Sequence, residues 1–101
     1  MISQEQILKI KVLCDKYAVE NVYVFGSVLT DRFNDESDVD FLINFSSNLS
    51  IEQYTENYFN LHIDLQEVFN QKIDLITEKS LKNPYLIQSI NSTKELIYDA
   101  A

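Results

Sequence analysis

A chain of 101 residues has room for one core, and so for a single domain over 1–101, because domains commonly hold about 100–150 residues. Its hydrophobic fraction of 46%, with six Tyr and six Phe, excludes a disordered chain. The balance of 16 acidic against 8 basic residues leaves a net charge of −8, which disfavours DNA, RNA or an anionic membrane as a partner.

The cations are scattered from Lys9 to Lys94 and form no basic run, so a phosphate-bearing ligand calls for divalent cations to bridge it to the protein. Cys14 stands alone, which rules out an intrachain disulfide; its place in an apolar helical pattern makes it a small core residue. No apolar run approaches the length of about 18 residues that a membrane span needs, and the chain reads as cytoplasmic. At this size only roughly 65% of the unfolded surface can be buried, so a partner or a second copy would add stability.

Ser3, followed by Glu5 and Gln6 and by apolar residues at 7, 8, 10, 12 and 13, predicts a capped amphipathic helix over about 4 to 18. A link at Val19 to Asn21 leads into VYVF, residues 22 to 25, a β-branched and aromatic strand. Gly26 ends it, and Ser27 caps a one- or two-turn helix through about 27 to 32, with Val28 and Leu29 toward the core. NDES at 34 to 37 is a loop, and DVDFLINF at 38 to 45 is the second strand.

Ser50 with Gln53 has capping-box spacing, and Tyr54, Tyr58, Leu61, Leu65 and Val68 extend a helix over about 51 to 69. His62 lies off that stripe and has no Cys or His companion, so it reads as a solvated or hydrogen-bonded helix residue. KIDLIT at 72 to 77 is a third strand, and a last helix spans about 80 to 98, restarting at Asn83 and Pro84. The expected architecture is α/β or α+β: a small mixed sheet of three or slightly more strands covered by about four helices. The 26 residues between strands two and three leave room for a parallel crossover, though periodicity alone does not fix pairing direction.

Strand alternation places Val39, Phe41, Ile43 and Phe45 on the core face and Asp38, Asp40, Leu42 and Asn44 on the other. Asp38 and Asp40 are then separated by about 6.6 Å along the strand, within reach of a shared cation. Two like charges so placed repel unless something positive stands between them. In KIDLIT, Ile73 and Leu75 take the core face and leave Asp74 on the other, so adjacent strands would make it a third carboxylate. Upstream, Gly26 and Ser27 sit between a strand and a short helix, where backbone N–H groups favour phosphate and glycine allows close approach.

Gly26–Ser27, then Ser37–Asp38–Val39–Asp40, then a lone Asp74 in a later strand together resemble the nucleotidyltransferase superfamily that includes DNA polymerase β, most closely its minimal nucleotidyltransferase (MNT) branch. The resemblance spans about 22 to 77. It implies that Gly26 and Ser27, with Ser37 and Arg32 beside them, hold the phosphates of a nucleoside triphosphate, ATP first among them. Asp38, Asp40 and Asp74 would be the catalytic and metal-binding residues, with two Mg²⁺ ions. Asp74 would also orient or deprotonate an attacking hydroxyl.

The sequence departs from the family pattern of a second glycine and flanking arginines at 28 to 32, where only Arg32 remains as a cation and Asp31 adds a negative charge. MNT proteins further resemble antitoxins encoded beside HEPN-domain toxins, associated with transfer of AMP to a tyrosine of that partner. A chain this short has little room for a substrate lobe, which suits a protein acceptor docking through exposed aromatics such as Tyr85 or Tyr98. A site-degenerate antitoxin acting by binding alone is the alternative, and transfer to a small molecule or RNA is a third.

Overall fold

The computed structural model describes residues 2–34 and 36–100; Asp35, in the expected loop at 34 to 37, lies outside them. Helix α1 (Gln4–Lys16) opens with a complete capping box, in which Ser3 Oγ accepts from Gln6 N and Gln6 accepts back from Ser3 N. The chain leaves α1 through Ala18 at φ 58° and enters β1 (Val19–Phe25), so the expected link at 19 to 21 is part of the strand. Val19, Val22 and Val24 are buried along it, with a bulge after Val19 that keeps them on one face.

The helix expected at 27 to 32 is a single 3-10 turn over Gly26–Leu29. Thr30 N donates to Ser27 O and closes it, and the chain then runs out to β2 (Val39–Phe45). Helix α2 (Ile51–Phe69) carries the Ser50/Gln53 capping box read from the sequence and stops at Asn70 in the left-handed region, at φ 52°. It delivers β3 (Ile73–Thr77), parallel to β2, as the crossover length allowed.

The last helix is shorter than expected. Asn83 Oδ1 accepts from the N–H groups of Tyr85 and Leu86, Pro84 occupies the first turn, and α3 ends at Thr93 (Pro84–Thr93). Residues Glu95–Asp99 form a fourth strand, β4, antiparallel to β1, where the apolar spacing of Leu86, Ile90 and Ile97 predicts helix. Tyr98 is therefore a strand residue packed against the core, while Tyr85 stands 83% exposed on α3. The sheet order is β3-β2-β1-β4, with β2 central and β3 at an edge.

Val39, Phe41 and Ile43 are completely buried, and Ile10, Cys14, Leu61, Leu65 and Phe69 pack onto that face from α1 and α2. Burial pushes the Cys14 thiol up to about 12, which leaves it an unreactive core residue. Leu42 and Ile90 are buried too but lie outside this cluster, and the Lys94 ammonium at the end of α3 stacks over the Tyr23 ring at 4.2 Å. Helix α3 thus flanks the sheet's second face, the one that carries the aspartates. Among the described residues no helix is long and apolar enough to cross a membrane.

Candidate active site

The carboxylates meet where the ends of β1, β2 and β3 lie side by side. Asp40 pairs with Phe25 of β1 on one side and with Asp74 of β3 on the other, so the two aspartates are direct cross-strand neighbours. Asp38 immediately precedes β2, and its backbone oxygen accepts from Ser27 Oγ at 3.3 Å. The sequence-predicted Gly26, Ser27, Asp38, Asp40 and Asp74 are therefore gathered at one place on the second face.

Gly26 is required here twice over. Its φ of 78° belongs to the left-handed region, and a methyl built on its Cα would overlap Asp40 Oδ2 and approach Asp40 Cγ to 3.3 Å. The turn thus lies directly against the Asp40 carboxylate, which brings the backbone of Gly26 and Ser27 beside the acidic cluster.

Asp40 bears the electrostatic cost of this arrangement. Burial, together with the negative charges of Asp74 and Asp38, pushes its carboxyl from 3.8 up to about 6. Asp38 is half-buried and Asp74 exposed, and among the described residues none of the three carboxylates takes part in a hydrogen bond or ion pair. No three His, Cys, Asp or Glu side chains among the described residues form a ready-made metal cage. The donor set nevertheless suits Mg²⁺, a hard cation that is usually held by one or two carboxylates with waters and substrate phosphates completing its shell.

The other expected phosphate contacts, Ser37 and Arg32, lie on the segment between the 3-10 turn and β2. Ser37 Oγ accepts from Asn34 N at 3.2 Å and closes the turn before β2, so its hydroxyl is engaged in the loop. Arg32 is exposed in the segment after the 3-10 turn, its backbone N–H donating to Thr30 Oγ1. Asp31, which threatened to place a negative charge beside the phosphates, lines a separate groove of about 360 Å³ with Val28, Leu29, Glu95 and Ile97.

Four residues that hold this site lie outside the motif. Gln71 Nε2 donates to Asn34 O and Ser37 O, at 3.0 and 2.8 Å, and ties the approach to β3 to the approach to Asp38. Lys72 O accepts from Val39 N, which places Lys72 beside Asp38 in the ladder and, by alternation, on the face of Asp74. Tyr58 and His62 of α2 reach backbone oxygens of β3. Only Lys72 left a signal in the sequence, two residues before Asp74 and in phase with it; the other three depend on tertiary placement.

The family model for polymerase beta nucleotidyltransferases matches residues 8–101, from within α1 to the end of the chain. The chain belongs to the polymerase beta nucleotidyltransferase family. It is 39% identical over 88 residues to the candidate protein adenylyltransferase MJ1379 of Methanocaldococcus jannaschii, covering 87% of this chain and 84% of that one. The nucleotidyltransferase fold is shared at TM-score 0.71 with a chain from a toxin–antitoxin crystal structure with AMP-PNP, at 19% identity, covering 93% of this chain and 73% of that one. A chain from the complex of a tri-AMPylated Shewanella oneidensis HEPN toxin with an MNT antitoxin aligns at TM-score 0.66 and 18% identity, covering 96% and 72%.

Proposed function

We propose that this nucleotidyltransferase moves AMP from ATP onto a tyrosine hydroxyl of a HEPN-domain partner in the cytoplasm, and so acts as the antitoxin of a pair. The observation that carries the proposal is the register Asp40↔Asp74 beneath Gly26, with Asp38 next to it. The name of its M. jannaschii relative, and a fold neighbour from a complex with an AMPylated HEPN toxin, support the acceptor class. A chain with net charge −8 makes RNA a poor acceptor.

In this reading the backbone of Gly26 and Ser27 cradles the triphosphate, which the small turn lets approach closely. Asp38 and Asp40 hold divalent cations, and Asp74, exposed at the sheet edge, receives the acceptor hydroxyl and takes up its proton. Mg²⁺ when bound supplies charge neutralisation on the phosphates and on the departing pyrophosphate. The tyrosine oxygen forms its bond to the α-phosphorus as the bond to the bridging oxygen breaks, so AMP stays on the protein and pyrophosphate leaves.

The test uses ATP labelled at either the α- or the γ-phosphate, incubated with Mg²⁺ and a HEPN-domain protein from the same genome as the candidate acceptor. The α-label should enter the partner and the γ-label should stay in pyrophosphate. Entry of the γ-label would make the reaction a kinase reaction, and neutralisation of the partner with neither label incorporated would favour an antitoxin that acts by binding.

A further inference from the structure

Asp74 sits on an edge strand, hydrogen-bonded to a neighbour on one side only, and edge strands slip and fray more readily than central ones. Alternation turns the carbonyls of Lys72, Asp74 and Ile76 toward β2, as the bond from Val39 N to Lys72 O shows. It leaves those of Ile73 and Leu75 pointing outward, and both are taken by α2. His62 Nε2 contacts Ile73 O at 2.8 Å and Tyr58 OH donates to Leu75 O at 2.6 Å. Because a carbonyl only accepts, the His62 nitrogen facing it must carry the hydrogen.

The spacing is commensurate. Four residues of helix advance about 6.0 Å and two residues of strand about 6.6 Å, so Tyr58 and His62, one turn apart, meet alternate carbonyls of β3. The two acceptors flank Asp74 in sequence. We infer that Tyr58 and His62 are positioning residues: they stand in for the missing neighbour strand and keep Asp74 in register opposite Asp40. Asp74 is then held from both sides, by β2 through its ladder and by α2 through two side-chain donors. The catalytic consequence rests on the transfer reaction proposed above; the register does not.

The experiment compares wild type with Tyr58→Phe, His62→Leu and His62→Gln, whose amide can still donate to Ile73 O. Tyr58→Phe keeps the ring that packs edge-on against Phe59 at 5.5 Å, so the fold survives. Amide hydrogen exchange should rise about tenfold in β3 relative to β1 in Tyr58→Phe and His62→Leu. Nucleotidyl transfer to the partner should fall about tenfold in kcat while KM for ATP stays within about twofold, and His62→Gln should restore both readouts.

Unchanged exchange in β3 would overturn the inference, as would faster exchange with an unchanged kcat. Should wild type transfer no nucleotide at all, the proposed reaction fails by itself. Exchange confined to β3 would then still support the register clamp, and unchanged exchange would still sink it.

Discussion

Asp40 is where the demands of folding and of chemistry conflict. Its carboxyl is raised from 3.8 to about 6, first by burial and then by Asp74 and Asp38, so the free fold favours the protonated form below about pH 6. A group raised in the folded state contributes stability that is full below its unfolded value and is lost as pH climbs through the folded value. Between about pH 4 and pH 6 the melting temperature of wild type should therefore fall relative to Asp40→Asn, which lacks this titration. Adding Mg²⁺ above pH 6 should reverse the loss in wild type alone. Parallel pH profiles for the two proteins would show that neither burial nor its acidic neighbours raise the Asp40 carboxyl.

Gly26 offers a second check at the same scale. In Gly26→Ala the left-handed φ and the overlap with Asp40 act together, and strain of this kind costs about 1–3 kcal/mol. Urea denaturation should register that loss, and transfer activity should fall further than the stability loss explains, because the carboxylate itself is displaced. A stable and active variant would mean that the turn does not need to lie against Asp40.

Helix α2 does more than cover the core: its buried side packs Leu61, Leu65 and Phe69, and it also carries Tyr58 and His62 to the edge of β3. Ser50→Ala removes the acceptor for Gln53 N and should cost about 1 kcal/mol, seen as a melting temperature lower by roughly 4–8 °C. A shift near zero would place the helix start under the control of packing rather than of its cap.

Elements were legible in the sequence where one strong local signal decided them. The Ser50/Gln53 cap fixed the start of α2, and the alternation in DVDFLINF fixed which face the aspartates take. The tail reads as helix because Leu86, Ile90 and Ile97 have helical spacing, whereas pairing of Glu95–Asp99 with β1 is a long-range gain that no local pattern reveals. The same limit hid the edge contacts. His62 reads as a solvated or hydrogen-bonded helix residue and is hydrogen-bonded, but its partner Ile73 O is chosen by how α2 lies against β3.

At the scale of the molecule, a protein of net charge −8 brings three aspartates together, and the proposed reaction offers them a polyanionic substrate. In that proposal the attraction comes from cations that the protein holds only when its carboxylates ionise, which links the raised Asp40 carboxyl to the proposed Mg²⁺. Binding of a non-hydrolysable ATP analogue should therefore weaken by roughly 1.4 kcal/mol or more, tenfold in affinity, when EDTA replaces Mg²⁺. Equal affinity in EDTA would point to direct recognition by Lys72 and Arg32 instead.

The most direct measurement of the central claim is single-turnover transfer from α-labelled ATP to the HEPN partner by wild type, Asp40→Asn and Asp74→Asn, with folding verified for each by circular dichroism. The account predicts Mg²⁺-dependent labelling of a partner tyrosine by wild type and loss of at least about a hundredfold in each variant. Undiminished labelling by either folded variant would contradict the assignment of these carboxylates to the chemistry.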